Sequence, residues 1–345
     1  MHMLKNKLVT VAMAFFAVAG VALADSGSPT SRTRYATDAY PGFDREENIV
    51  APGKKEKRWF HFWNGPKYYT ASEEFAYAKK CVEEGEWRKA RRAYDALVRE
   101  WPTSPEAPKA QLALADMYLE HYLEYDEAFE EYRYLLDYYP SQCDYDAMAY
   151  RLYEVAKLMR EEGKTIIFFR FANTVDVRRA FEAVVLRAPG ASYAPQAMLT
   201  IAELREDDGE FDKAVIVYEN LRNLHAESEE AKEAIYREAK TRMTLLREHE
   251  YNRQRCQDTI DYLKMAVVDR SLTTERRDEI NAWLAEAISL IENEAYAAAR
   301  FYDSRTRTKR SAINAYERFL REYPASVHAE EALSRLAELK SEENK

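Results

Sequence analysis

Glycine and proline are scarce in this chain, with 9 and 11 in 345 residues. Together with many Ala, Glu, Arg, Leu and Tyr residues, this weighs against a turn-rich β fold and for an all-helical protein. Cysteine is scarcer still: Cys81, Cys143 and Cys256. One of three thiols must stay unpaired within the chain, and no CxxC or Cys/His cluster suggests zinc. Cys81 falls inside an expected helix on a side facing its neighbour, so a buried thiol is expected there. A Cys143–Cys256 bridge is left open. The histidines, His2, His61, His121, His225, His249 and His328, show no ligand spacing, and HExxH and Gly-rich phosphate loops are absent. Acidic pairs such as Glu73-Glu74, Asp207-Asp208 and Glu229-Glu230 read as solvated helix faces and turns. The sequence therefore predicts no enzyme, no cofactor and no metal site. An excess of positive charge is lacking too: the net charge is −9, which repels phosphate backbones and makes nucleic acid an unexpected partner.

Residues 1–24 read as a signal peptide. Lys5 and Lys7 precede the uncharged run Leu8 to Val21, and Ala22-Leu23-Ala24 offers small residues for cleavage before Asp25. Loss of the two lysines would take the net charge from −9 to −11. The alternative is an uncleaved anchor, since Leu8 to Ala24 reaches the lower edge of the ~17–25 residues that span a bilayer. Residues 25–68 hold Gly27, Pro29, Pro41, Gly42, Pro52, Gly53, Gly65 and Pro66 with few aliphatics, and read as a flexible linker. Within it, Lys54-Lys55-Glu56-Lys57-Arg58 precedes Trp59, Phe60, His61, Phe62 and Trp63. We read these rings as capping the first repeat helix. The alternative is peripheral contact with an outer-membrane surface, where Trp and cations are favoured.

The body is built on a recurring pattern. Ala90, Tyr94, Leu97 and Pro102 are followed by Ala128, Tyr132, Leu135 and Pro140, then Phe181, Val184 and Pro189. Ala214, Tyr218 and Leu221 follow, and finally Ala312, Tyr316, Phe319 and Pro324. Where the proline is present, an aromatic stands eight residues before it and an apolar residue five before it. Ala202, Gly209, Phe211, Ala214, Tyr218 and Leu221 keep the spacing of Ala78, Gly85, Trp87, Ala90, Tyr94 and Leu97. Small residue, turn glycine, aromatic, alanine, aromatic is the tetratricopeptide pattern. The expected fold is an all-α, right-handed α-solenoid of about five or six tetratricopeptide-like helix pairs.

Repeats one to four fill residues 69–231. The first starts near Ser72, where Glu73 and Glu74 suit a helix N-terminus. The second carries Tyr118, Tyr122, Tyr125, Tyr132, Tyr134, Tyr138 and Tyr139; most should pack between repeats, and some should be exposed. The third is interrupted, because Pro140 to Pro189 spans 49 residues against 38 from Pro102 to Pro140. About eleven extra residues include the apolar run Ile166, Ile167, Phe168, Phe169, Arg170, Phe171, which must fold back on the core or meet a partner. Fold-back is the simpler outcome. As a binding element the run makes Tyr150, Tyr153, Phe168, Phe169 and Phe171 the candidate partner-binding residues. Residues 232–345 hold a degenerate repeat around Ile260 and Leu263, a last repeat starting near Asn281, and a capping helix from Ala329 to Lys340 with Leu333, Leu336, Ala337 and Leu339 on its apolar side.

Three stretches resemble one tetratricopeptide family, the BamD-type outer-membrane assembly lipoproteins. They are Tyr139-Pro140 with Asp144-Tyr145 and Tyr150; Phe168-Phe169 with Asp176, Arg179-Ala180-Phe181, Pro189 and Ser192-Tyr193; and Ala299 with Phe301-Tyr302, Tyr316, Tyr323-Pro324 and Ser326. The resemblance covers about residues 70–200 and 284–340. It implies a periplasmic scaffold without cofactor, on the inner side of the outer membrane, that helps insert β-barrel proteins. Its partners would be envelope proteins, the barrel-forming assembly subunit among them. Two features depart from the family. Asp25, not cysteine, follows Ala24, and one or two extra repeats lie between Ala197 and Ile280. The alternative is a periplasmic adaptor that coordinates peptidoglycan synthesis or the Tol-Pal system.

Overall fold

The computed structural model describes residue 43 and residues 65–165, 174–248, 251–305 and 309–343, with backbone alone at 163–165, 174 and 175. The expected signal peptide, most of the expected linker and the run Ile166–Phe171 lie outside these residues.

Among the described residues thirteen helices follow one another. They are α1 (Ala71–Glu83), α2 (Trp87–Glu100), α3 (Ala107–Asp116), α4 (Tyr125–Tyr138), α5 (Tyr145–Thr165), α6 (Thr174–Arg187), α7 (Ala194–Asp207), α8 (Phe211–Leu224), α9 (Glu229–Glu248), α10 (Arg253–Val267), α11 (Thr274–Arg305), α12 (Lys309–Glu322) and α13 (Ala329–Glu343). Each packs on the next in sequence, giving six helix pairs closed by α13. The molecule is an α-solenoid of tetratricopeptide-like pairs.

Local chemistry sets the boundaries. Thr70, two residues before the expected start, caps α1: its hydroxyl accepts the Glu73 N–H at 3.3 Å. Pro108 and Pro195 sit in the first turns of α3 and α7, where a missing N–H costs nothing. Gly85 and Gly209 end α1 and α7 at φ of +73° and +74°. A Cβ at either would meet nothing within 4 Å, so backbone conformation, not space, requires glycine there.

The second repeat breaks this rule. Leu123 stands where Gly85 and Gly209 stand in their repeats, and takes φ +57° without being glycine. One residue is inserted ahead of it. The buried alanine and the turn residue are seven apart in Ala78/Gly85 and Ala202/Gly209, but eight apart in Ala115/Leu123. The chain absorbs the extra residue as a π-helical turn, Met117–Tyr122, and the Glu124 N–H reaches back to the Tyr118 carbonyl at 3.0 Å.

The repeat signature forms the core. Ala90, Ala128, Ala214 and Ala312 are at most 1% exposed and let paired helices approach closely. Tyr94, Tyr132, Phe181, Tyr218 and Tyr316 are buried beside them. In the degenerate fifth pair, Cys256, Ile260 and Leu263 keep the spacing of Ala214, Tyr218 and Leu221 and are likewise buried. Cys256 is thus the small residue of its repeat. All three cysteines are unpaired, with Cys81 and Cys256 buried and Cys143 half-buried.

Three expectations need correction. None of the seven tyrosines of repeat two is exposed; each is buried or half-buried, because the rings pack on one another and on neighbouring repeats: Tyr134 and Tyr138 lie 4.3 Å apart on one face of α4, and the Tyr139 hydroxyl donates to the Pro102 carbonyl at 2.8 Å. The last repeat begins at Thr274, not near Asn281, since no Gly or Pro interrupts 274–305. The N-terminal half of the resulting 32-residue helix packs Ile280, Ala287 and Ile291 with Ile260 and Leu263. Its C-terminal half packs Tyr296 and Ala299 with Tyr316 and Phe319. Leu333 and Ala337 of α13 face solvent, while Ala332, Leu336 and Leu339 form the buried stripe.

The residues before α1 are fixed to it. A fourth correction falls on Glu74, expected with Glu73 on a solvated face: it is buried, and its carboxylate accepts the Lys67 and Tyr68 N–H groups, both at 2.8 Å. The Lys67 ammonium lies 4.1 Å from the Tyr77 ring centre. Trp59 to Trp63, read as a cap for this helix, lie outside the described residues. Phe43 is half-buried and packs against the central core cluster.

Candidate protein-binding face

The first helices α5, α7, α9 and α11 connect along one side of the solenoid. α9 packs against both α7 and α11. Side chains carry the connection back to α5, whose residues Tyr150, Tyr153, Lys157 and Arg160 recur at helical spacing along one face. Tyr153 stacks on Tyr193, just ahead of α7, with ring centres 4.8 Å apart and planes 17° apart. Two turns on, Arg160 donates to the Thr200 hydroxyl at 3.2 Å and to the Glu203 carboxylate at 2.6 Å. Residues 40 apart therefore lie side by side, because α5 and α7 run parallel.

The charges continue as a ladder. Glu203 of α7 also meets Arg237 of α9 at 2.8 Å. Arg237 turns to Glu233 of its own helix at 2.9 Å, and Glu233 accepts Arg276 of α11 at 2.7 Å. The Arg276 guanidinium lies 4.5 Å from the Tyr236 ring, and the Tyr236 hydroxyl donates to Glu279. Arg247 closes the series with two bonds to Glu286, at 2.9 and 2.7 Å.

These side chains are mostly 20–37% exposed. Each such pair contributes only about 0–1 kcal/mol. Their value lies in order, since every rung fixes one first helix against the next. Burial pushes the Glu233 carboxyl up, but bonds from Arg237 and Arg276 outweigh it and hold the group below its usual range. Glu206 of α7 is raised by burial despite the bond from the Thr241 hydroxyl.

At the α5 end the face is aromatic. Tyr150 is 49% exposed, 6.4 Å from Tyr153 and 5.6 Å from Tyr193 between ring centres. Tyr153 is only 7% exposed and also meets Phe181 edge-on at 6.2 Å. Lys157 covers its other side at 5.4 Å. Burial, then Asp146 and Tyr145, push the Tyr193 hydroxyl up to about 12, so it stays protonated.

The structure thus brings Tyr150 and Tyr153 together and gives them different places: Tyr150 reaches solvent and Tyr153 supports it. Phe168, Phe169 and Phe171 lie outside the described residues. Sequence reasoning missed Tyr193 as a member of this cluster, and missed the ladder. The recurrence of Tyr150, Tyr153, Lys157 and Arg160 along α5 was the available signal. Among the described residues no group of three His, Cys, Asp or Glu could hold a metal ion, and no helix is long and apolar enough to cross a membrane.

No family model and no curated protein matches the chain. Several solved structures are similar at low identity. PilW, a type IV pilus biogenesis factor, is 16% identical over 76% of this chain and 98% of its own, with a TM-score of 0.29. A tetratricopeptide repeat protein from Parabacteroides merdae is 14% identical over 78% of this chain and 98% of its own, with a TM-score of 0.27. The TPR2AB domain of yeast Sti1, solved in a pHSP90 complex, is 15% identical over 64% of this chain and 86% of its own, also at 0.27.

Proposed function

We propose that the chain is an exported scaffold that binds other envelope proteins and takes part in β-barrel protein assembly at the outer membrane. One observation carries the binding role. The first helices α5, α7, α9 and α11 form a face whose charges are already paired with one another. Such a face is ordered before a partner arrives, so a docking segment forfeits little in rearranging it. An extended or helical segment is the occupant that suits a solenoid face of this kind. Tyr150 supplies an exposed aromatic anchor at its edge. On sequence alone, Phe168, Phe169 and Phe171 extend the same contact.

The assembly role rests on the resemblance in the three stretches above, of which the first two are the more specific. Affinity purification of tagged protein from detergent-solubilised envelopes tests it. Near-equal recovery of the barrel-forming assembly subunit is expected. Recovery of cell-wall enzymes or Tol-Pal components without that subunit would transfer the protein to the adaptor role. The adaptor reading is favoured by Asp25 following Ala24, and a free periplasmic pool on fractionation would support it.

A further inference from the structure

Phe43 stands 22 residues ahead of Gly65, yet it is half-buried and packs against the cluster formed by α3 through α9. The chain bends at Phe43, directly after the turn-forming pair Pro41-Gly42. A segment that served only as a spacer would have no reason to place its aromatic ring there. Reach does not limit the contact. Twenty-two residues can span up to ~75 Å, whereas α3 lies two helices beyond α1, at ~8–10 Å per helix.

We propose that the solenoid is a receptor for its own N-terminal segment, anchored by Phe43. The surface over the central cluster takes the Phe43 ring. A single aromatic anchor binds weakly between separate molecules. Held on the same chain, it acts at an effective concentration on the order of millimolar, which fills a weak site. A partner segment anchored at this surface by an aromatic residue must therefore displace Phe43. The segment sets a threshold for binding, and the partner class it admits is a short peptide with one buried aromatic. This inference concerns occupancy in one chain and does not depend on which envelope protein the scaffold serves.

The test uses the full chain and a fluorescently labelled synthetic peptide of residues 36–49. Wild-type protein and the Phe43→Ala variant are titrated with the peptide, and the variant's helical circular dichroism is compared with wild type. The variant, with its surface vacated, is expected to bind the peptide about 10-fold more tightly than wild type. A peptide carrying the same Phe→Ala change should not bind. Equal binding to both proteins, absence of binding to the variant, or unchanged binding of the altered peptide would each overturn the proposal. A photoreactive phenylalanine at position 43 gives an independent reading. Crosslinks within the same chain to α3–α9 are expected, and crosslinks confined to other segments or other copies would contradict it.

Discussion

Arg187 grips Asp137 with two parallel bonds, Nε to Oδ1 at 3.0 Å and Nη2 to Oδ2 at 2.8 Å, and neither side chain is more than 7% exposed. The pair joins the last turns of α4 and α6, the second helices of consecutive pairs. Asp137 alone would sit badly at a helix C-terminus; the guanidinium offsets it there. Arg187 also donates to the Ala183 carbonyl at 3.0 Å, and its own carbonyl accepts the Tyr145 hydroxyl at 3.2 Å.

Asp137→Ala leaves a buried guanidinium without its carboxylate and should cost about 3–5 kcal/mol. Replacing both partners, Asp137→Leu with Arg187→Met, should cost far less, because no buried charge remains. Urea unfolding followed by circular dichroism checks both. A single-variant loss below ~1 kcal/mol would mean the pair is not buried as described.

The turn positions give a second comparison. Gly85→Ala and Gly209→Ala should each lose about 1–2 kcal/mol from the left-handed backbone alone, since the new methyl meets open space. Leu123→Gly acts in the opposite sense and should gain up to ~1 kcal/mol, because it relieves the same conformation at the π-helical turn. Thermal melts of the three variants decide the matter; a destabilised Leu123→Gly would show that the leucine side chain outweighs its backbone strain.

Acid should loosen the first-helix ladder. The folded Glu233 carboxyl lies below its usual range. A depressed carboxylate contributes stability that is present above the unfolded value, ~4.3, and is lost as pH falls through the folded one. Glu233→Gln should therefore be less stable than wild type at pH 6, and the gap should narrow as pH falls below the unfolded value. Unfolding curves over a series of acidic pH values provide the check, and a gap that stayed constant throughout would contradict the ionic role.

The two tyrosines of α5 should separate folding from binding. Tyr150→Ala removes a ring that is half in solvent and should change stability by no more than ~0.5 kcal/mol. Tyr153→Ala opens a cavity between Tyr193 and Phe181 and should cost about 3 kcal/mol. Unfolding free energies read both directly.

The helix pairs were legible because their cause is local. Ala90, Tyr94 and Leu97 share one face of one helix, and Gly85 stands where a left-handed turn is needed. The π-helical turn left a fainter mark, a single extra residue between Ala115 and Leu123 with leucine in the glycine place. Cys256 was legible only once its repeat was aligned as a small-residue position. The recurrence of Tyr150, Tyr153, Lys157 and Arg160 marks one face of α5, but the pairing of the ladder left no local mark. Arg160 and Glu203 are 43 residues apart, and each looks like any other surface charge on an amphipathic helix. Which tyrosines are exposed depended likewise on neighbouring helices, so the crowding of rings in repeat two suggested exposure that stacking removes. Tyr150 and Tyr153 could be placed near one another from sequence, but their different burial is set by Tyr193 from the next pair.

The most direct test of the first-helix face as the docking surface is site-specific photocrosslinking in intact envelopes. A photoreactive residue is placed at Tyr150, and in a second strain at Glu219, an exposed position on the second helix α8. An adduct with the barrel-forming assembly subunit is expected from position 150 and not from 219. An adduct from 219 alone, or none from either while the subunit still co-purifies, would show that binding runs over a different face.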